Sequence, residues 1–272
     1  MWNRFLELVR FRDLILNLVV RDLKVRYKNS ALGILWSWLN PLFMMAVYTV
    51  VFTIMQPGNI GIPEEQFPAF VLCALLPWNL FSSAVTQSVG SIVENANLVK
   101  KVYFPREILP LSVVLSNLVN FGISMLVLVP IMILLRVRVT LWLLLLPIVV
   151  FIQFLFTAGV SLLLCTLNVF YRDTKVIIDV VMIAWLFVTP IFYPIENLPQ
   201  SGEVLGVMID VRRWTRILNP MASLTAAYRD VLFYGRQIGW DFLARTALTS
   251  LLVFAIGYGV FCRYSKLFGE EV

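Results

Sequence analysis

The chain has no histidine, and its three cysteines, Cys73, Cys165 and Cys262, sit singly inside apolar stretches. That leaves no metal-ligand set with recognisable spacing and no disulfide framework, so the cysteines read as small packing residues. No glycine is followed by lysine, which removes the loop that cradles nucleotide phosphates in P-loop enzymes. No Asp-x-Asp pair points to metal-dependent glycosyl transfer. Charge is scarce as well: 14% of the residues are charged against 60% apolar, and the charges collect in blocks between charge-free stretches. No cofactor is expected on this chain, and no enzyme chemistry.

What is present is a succession of apolar stretches at residues 34–55, 67–92, 108–135, 141–171, 180–195 and 246–262. About 20 apolar residues in a helix cross the hydrocarbon core of a bilayer. The expected fold is therefore an all-α membrane protein with six spans, at about 34–55, 67–90, 108–135, 141–167, 176–195 and 246–264. Residues 1–32 form an N-terminal cytoplasmic interface helix, and 33–272 the membrane domain. The beginning of the chain carries charges every few residues and no apolar leader core, so the first span is expected to act as its own insertion signal.

Positive charge sets the orientation. Arg4, Arg10, Arg12, Arg21, Lys24, Arg26 and Lys28 precede the first span, and Lys100, Lys101, Arg106, Arg172 and Lys175 lie in two later connections. The connection at 56–66 has neither lysine nor arginine. The basic loops mark the cytoplasmic side, with both termini on it, although Arg136 and Arg138 fall on the other side. The net charge of +6 reflects these loops rather than nucleic-acid binding.

Residues 3–30 place Arg10, Asp13, Asn17, Arg21, Lys24 and Lys28 on one helical stripe, opposite Leu8, Phe11, Ile15, Leu18 and Val25. Such a helix lies at the membrane interface, and its basic face could also hold a partner protein. Residues 91–107 read as a second short helix, with Ile92, Val93, Ala96, Val99 and Val102 or Tyr103 on its apolar side, ended by Pro105. A solvated connector and a docking element for a soluble motor are both open here.

Span five ends at 189–194, TPIFYP, where two prolines break the helix. Residues 204–214 and 221–234 are apolar but too short to cross. With Asn219 as N-cap and Pro220 at the first helical position, they suggest a re-entrant helical hairpin on the outer side. Its arginines, Arg212, Arg213, Arg216 and Arg229, would need partners or water there. Mid-membrane carboxylates, which ion-coupled carriers use, are missing. Asp179 reads as an interfacial cap or ion pair, and Gln153 as a helix–helix hydrogen bond. Aromatics are abundant, and Tyr48, Phe52, Trp78, Phe81, Trp185, Phe192 and Tyr193 are candidates to line a conduit, since sugar rings stack on aromatic faces.

Residues 21–36 (RDLKVRYKNSALGILW) and 39–42 (LNPL), together with 97–106 (NLVKKVYFPR), 168–173 (NVFYRD), 189–194 and Asn219-Pro220, resemble the spaced motifs of type-2 ABC transporter permeases that export polysaccharides. The resemblance covers nearly the whole chain. It implies a homodimer carrying two copies of a separate ATPase subunit, which holds the ATP and magnesium, in a bacterial cytoplasmic membrane. It also implies that Glu94, Asn97, Lys100, Lys101, Phe104, Pro105 and Arg106 form the ATPase-coupling element, and that Arg21, Lys24, Arg26 and Lys28 belong to the interface helix. Asn219, Pro220 and Tyr228 would belong to an outer gate, and the cargo would be a lipid-linked polysaccharide of the O-antigen, capsule or teichoic acid kind. A drug or lipid exporter of the same architecture is the alternative, followed by a self-sufficient channel or secondary carrier.

Overall fold

The computed structural model describes residues 10–28, 30, 32–51, 61–137, 140–200, 202–204 and 207–272. The described chain is helical apart from one two-stranded hairpin. Its helices are α1 (Arg12–Tyr27), α2 (Trp36–Val50), α3 (Phe67–Val89), α4 (Ser91–Glu94), α5 (Ala96–Lys101), α6 (Ile108–Leu134), α7 (Leu146–Phe170) and α8 (Thr174–Val188). After strands β1 (Gly202–Val204) and β2 (Val207–Ile209) follow α9 (Val211–Leu218), α10 (Pro220–Leu232), α11 (Trp240–Tyr264) and α12 (Phe268–Glu271).

Among the described residues, four helical stretches are long and apolar enough to cross a membrane: Glu64–Val89, Ile108–Leu134, Leu141–Phe170 and Trp240–Tyr264. The expected spans one and five correspond to α2 and α8, which are 15 residues each over the described chain. At 1.5 Å per residue such a helix is about 22 Å long, short of a hydrocarbon core of about 30 Å. For α8 the cause is chemical. Pro190 and Pro194 have no N–H to donate, and the chain leaves α8 in an extended conformation at Thr189.

The helix α3 is the axis of the bundle. In its most apolar window 78% of the residues are buried, against 22% for α11, whose Leu248, Leu251, Leu252 and Ile256 face outward. It packs on α6, α7, α2 and α10. The pair α7–α11 is the tightest in the molecule, because Gly159 and Gly257 meet there. A Cβ on Gly159 would lie 2.6 Å from the Phe254 backbone, and one on Gly257 would collide with the carbonyl of Gly159. Small residues let two membrane helices approach backbone to backbone.

Gln153 is fully buried on α7. Its Nε2 donates to the Pro77 carbonyl of α3 at 2.7 Å, and its Oε1 accepts from Tyr228 Oη of α10 at 2.6 Å. The turn after α6 is made by Arg136, a non-glycine residue at φ 54°, with Val137 N–H bonded back to Met132 O at 2.9 Å.

Three local expectations are corrected. The segment 204–214 is not one short helix: β-branched Val207 and Ile209 fall in the hairpin, and Asp210 then starts α9 by accepting the Arg213 N–H at 3.0 Å. The last span starts earlier than 246, with Asp241 and Arg245 inside α11. On α1, Leu18 and Val19 are buried and Ile15 partly so, but Val25 is 63% exposed. The stretch 3–9 of the expected interface helix lies outside the described residues.

Candidate functional site

The basic end of the bundle gathers the expected coupling residues. The segment 91–101 is two helical pieces rather than one, because Asn95 leaves the helical conformation and its side chain donates to Ser91 O at 2.8 Å. Ile92, Val99 and Phe104 are buried against Val169, Phe261 and Phe268, which anchors the element to the ends of α7 and α11. Val102 and Tyr103, expected on the apolar side, are exposed instead, Tyr103 by 94%. Helix α5 ends at Lys101 and the chain turns extended, so the apolar periodicity no longer applies beyond it.

Glu94 pairs with Lys175 at 2.8 Å, and Arg106 donates to the carbonyl of Ser265. Asn97, Lys100 and Lys101 are exposed, and Pro105 is half-buried. The cations Lys100 and Lys101 therefore stand free for an external partner on an element whose apolar side is fixed. Lys175 lies outside the expected span; the Glu94 carboxylate, by hydrogen bond and by charge, holds its ammonium pKa above the ordinary lysine value. Asp179 is exposed and borders the same cavity as Lys175.

The interface-helix cations divide. Lys24 and Lys28 are exposed, and Arg21 reaches Asp22 at 3.1 Å and Asn95 Oδ1 at 3.4 Å. Arg26 instead turns into the bundle. Its Nη2 donates to Gln87 Oε1 at 2.7 Å and Asn117 Oδ1 at 3.0 Å, and Asn117 donates to Gln87 at 3.2 Å.

The expected conduit residues form packing contacts within the chain. Trp78 and Phe81 are 5.8 Å apart, and Phe81 meets Phe156 at 5.3 Å and Trp185 at 5.1 Å between ring centres. Tyr48 packs on Phe192 at 4.4 Å. Trp78, Phe81 and Phe192 are buried; Tyr48, Trp185 and Tyr193 are half-buried, and Phe52 lies outside the described residues. In one copy of the chain these rings are core. Trp78, Phe81, Phe156 and Trp185 meet because α3, α7 and α8 each turn an aromatic side toward the other two.

The expected gate residues are knotted to the end of α8. Asn219 Oδ1 accepts from the backbone of Met221 at 3.1 Å and Ala222 at 3.3 Å, and from Trp185 Nε1 at 2.9 Å. Its Nδ2 donates to Thr189 Oγ1 at 3.0 Å. Pro220 opens α10, and Tyr228 is fully buried rather than at a surface. The next residue, Arg229, is buried and donates to carbonyls rather than to a carboxylate: Pro190 at 2.6 Å, Tyr193 at 3.2 Å, Phe70 at 3.4 Å, and Ile191. Its guanidinium also lies 3.6 Å over the Phe70 ring. The proline-broken strand after α8 leaves carbonyls without helical donors, and Arg229 supplies them. Arg216 and Arg236 meet Glu196 at 3.8 and 3.7 Å.

Sequence reasoning passed over a polar stripe. Asn79, Ser83 and Gln87 recur every four residues along α3, facing Asn117, Asn120 and Ser124 on α6. The four-residue spacing is visible in the sequence; that α3 and α6 face each other along it is not.

Comparison with known proteins supplies the rest. The chain is 34% identical to the O-antigen export system permease protein RfbA of Myxococcus xanthus, covering 98% of each chain. It is 30% identical to the RfbA of Klebsiella pneumoniae over 95% of this chain and 94% of that one. It is 22% identical to the polysialic acid transport protein KpsM of Escherichia coli over 87% and 88%. The ABC-2 type transporter family matches residues 13–233, more than half of the sequence. With that match lying over a bundle of apolar helices, the chain belongs to the ABC-2 type transporter family.

Proposed function

We propose that this chain is the permease subunit of an ATP-driven exporter that moves a lipid-linked polysaccharide across the bacterial cytoplasmic membrane. The carrying observation is the likeness to O-antigen export permeases over almost the full length of both chains. The working unit is a homodimer of six-span chains with cytoplasmic termini, driven by two copies of a separate ATPase. The faces left apolar on α2 (Phe43, Val47) and α8 (Val180, Ile183, Phe187) support a second copy beside the first. The hairpin of α9 and α10 serves as the outer closure, tied to α8 through Asn219 and Arg229.

The element 91–106 passes force from the ATPase. Its apolar side is fixed in the bundle, so a push on Lys100 and Lys101 is transmitted to α7 and α11 instead of being absorbed by a loose loop. Purification of the chain from its native membrane in mild detergent should bring down a stoichiometric P-loop ATPase. Lys100→Glu with Lys101→Glu should lower the recovered ATPase roughly tenfold, the effect of reversing two charges at a salt-sensitive contact, with insertion unchanged. A native chain that arrives alone under conditions preserving other complexes would overturn the exporter reading. Unchanged recovery with the double variant would overturn the docking assignment only.

A further inference from the structure

A cavity of about 490 Å³ lies between α2, α3 and α6, closed at the basic end of the bundle by α1. Its volume falls within the range of about 300–1,000 Å³ typical of small-ligand sites. From Leu76 to Gln87 it follows α3 for about 16 Å at 1.5 Å per residue. Its wall differs from the rest of the membrane-facing surface. Carboxamides reach it from all three helices, including Asn40, Asn79 and Asn117, with Gln87 and the ring of Trp36. The side chains of Asn40 and Asn79 make no hydrogen bond to another described residue. Carboxamides at this depth call for a polar occupant, because a lipid tail would leave them unpaired.

Arg26 gives the cavity its charge. It is half-buried, and the hydrogen bonds it makes among the described residues run from Nη2 to amide oxygens, with no described carboxylate opposite it. Nε and Nη1 make no hydrogen bond to another described residue. The same guanidinium, with Gln87, borders a second cavity of about 670 Å³ that reaches Arg21, Glu94 and Lys175. One cation therefore stands where the two cavities meet.

The arrangement asks for two chemistries in one ligand. A guanidinium with free donors takes an anionic oxygen. Carboxamides, which donate and accept at once, match neighbouring hydroxyls, and an indole face matches the C–H side of a sugar ring. We propose that this cavity binds the anchored end of the cargo, a sugar phosphate on a lipid: Arg26 takes the phosphate and Asn40 and Asn79 take hydroxyls of the adjoining ring. Gln87 and Asn117 position the guanidinium. The proposal rests on the glycan-export reading and deepens it. It also gives Arg26 a part distinct from that of Lys24 and Lys28, which point away.

The test uses the full chain in phosphatidylcholine nanodiscs and a radiolabelled short-chain prenyl phosphate bearing one hexose. Competitors are the same prenyl phosphate without the sugar, and phosphatidylglycerol. The native chain should bind the glycosylated probe saturably and prefer it to both competitors. Arg26→Gln should weaken binding roughly tenfold or more, as loss of a charged hydrogen bond does, with partial return in Arg26→Lys. Asn79→Leu, and separately Asn40→Leu on another helix, should weaken the glycosylated probe and leave the sugar-free one unchanged. Arg12→Gln, an exposed cation on the same helix, should bind as the native chain does.

Equal competition by phosphatidylglycerol would mean a general anionic-headgroup site and overturn the proposal, as would equal binding by Arg26→Gln or by both asparagine variants. Full glycan export by cells carrying Arg26→Gln with Asn79→Leu would remove this site from transport while leaving the exporter reading intact. That reading stands or falls on recovery of the ATPase, which does not depend on the cavity.

Discussion

Two walls of the bundle are made of equally apolar helices and end up opposite in character. Where α7 meets α11 the backbones touch through Gly159 and Gly257, and the buried Ser250 Oγ, two turns before Gly257, has no hydrogen-bond partner among the described residues. Where α2, α3 and α6 meet, long carboxamides hold the helices around a cavity and leave donors facing it. The difference is one of side-chain reach. Glycine and serine let the backbones touch at the first wall, while asparagine and glutamine side chains stand between the helices of the second and border its cavity. One wall is built to stay shut and the other to hold something.

The strongest way to break this contrast is to enlarge the glycine at the α7–α11 contact and, as a control, one on an exposed helix face. Gly257→Leu places its Cβ against the carbonyl of Gly159 with backbone, not a flexible side chain, as the obstacle. Overpacking of this kind costs about 3 kcal/mol or more where the backbone cannot yield, so little folded, monodisperse protein should be recovered in detergent. Gly122 on α6 has open space where its Cβ would stand. Gly122→Ala should be neutral or raise the melting temperature, since a mid-helix glycine is worse than alanine by about 0.5–1 kcal/mol. Equal loss from both substitutions would mean that the α7–α11 contact is no tighter than an exposed helix face.

A second, smaller test concerns the end of the bundle where α8 meets α10. Asn219→Ala removes the cap of α10 and the acceptor for the Trp185 indole. Loss of an N-cap costs about 1–2 kcal/mol, to which the unpaired indole N–H adds. Asn219→Asp keeps the acceptor oxygen for Met221, Ala222 and Trp185 and loses only the donor to Thr189. Its melting temperature in detergent should fall less than that of the alanine variant. If the two fall equally, the Thr189 bond rather than the cap holds α10 to α8.

Much of this contrast could be read in advance, and the unread part has a common physical cause. Long apolar stretches, the Asn219-Pro220 helix start and the helix–helix role of Gln153 depend on local order or on a single polar group in an apolar stretch, and each follows from composition and spacing. The facing of side chains across helices does not. Trp78, Phe81 and Trp185 could have lined a conduit or packed together, and only the rotation of α3 against α7 and α8 decides that they pack. Arg229 could not be assigned a partner because its acceptors are carbonyls of residues 190–193, a backbone feature that exists only once the prolines have broken α8. Likewise Arg26 was grouped with Arg21, Lys24 and Lys28 on the interface helix, and its inward turn became visible only with Gln87 and Asn117 beside it.

The smallest expected effect lies at the basic end, where Lys175 and Glu94 pair across the lower cavity while both stay about half exposed. Exposed ion pairs contribute about 0–1 kcal/mol and weaken in salt. Lys175→Gln should therefore lower the melting temperature by no more than about 4 °C, less in 0.5 M salt, on the usual scale of about 2–4 °C per kcal/mol for a chain of this size. The pH dependence has a definite sign. Because the folded state holds the Lys175 pKa above its ordinary value of 10.5, the contribution is complete below that value and is lost only as pH rises through the folded one. Between pH 6 and 8 the native chain and Lys175→Gln should differ by a constant amount. A difference that changes across that interval would mean that the Lys175–Glu94 pair is not what the substitution removes.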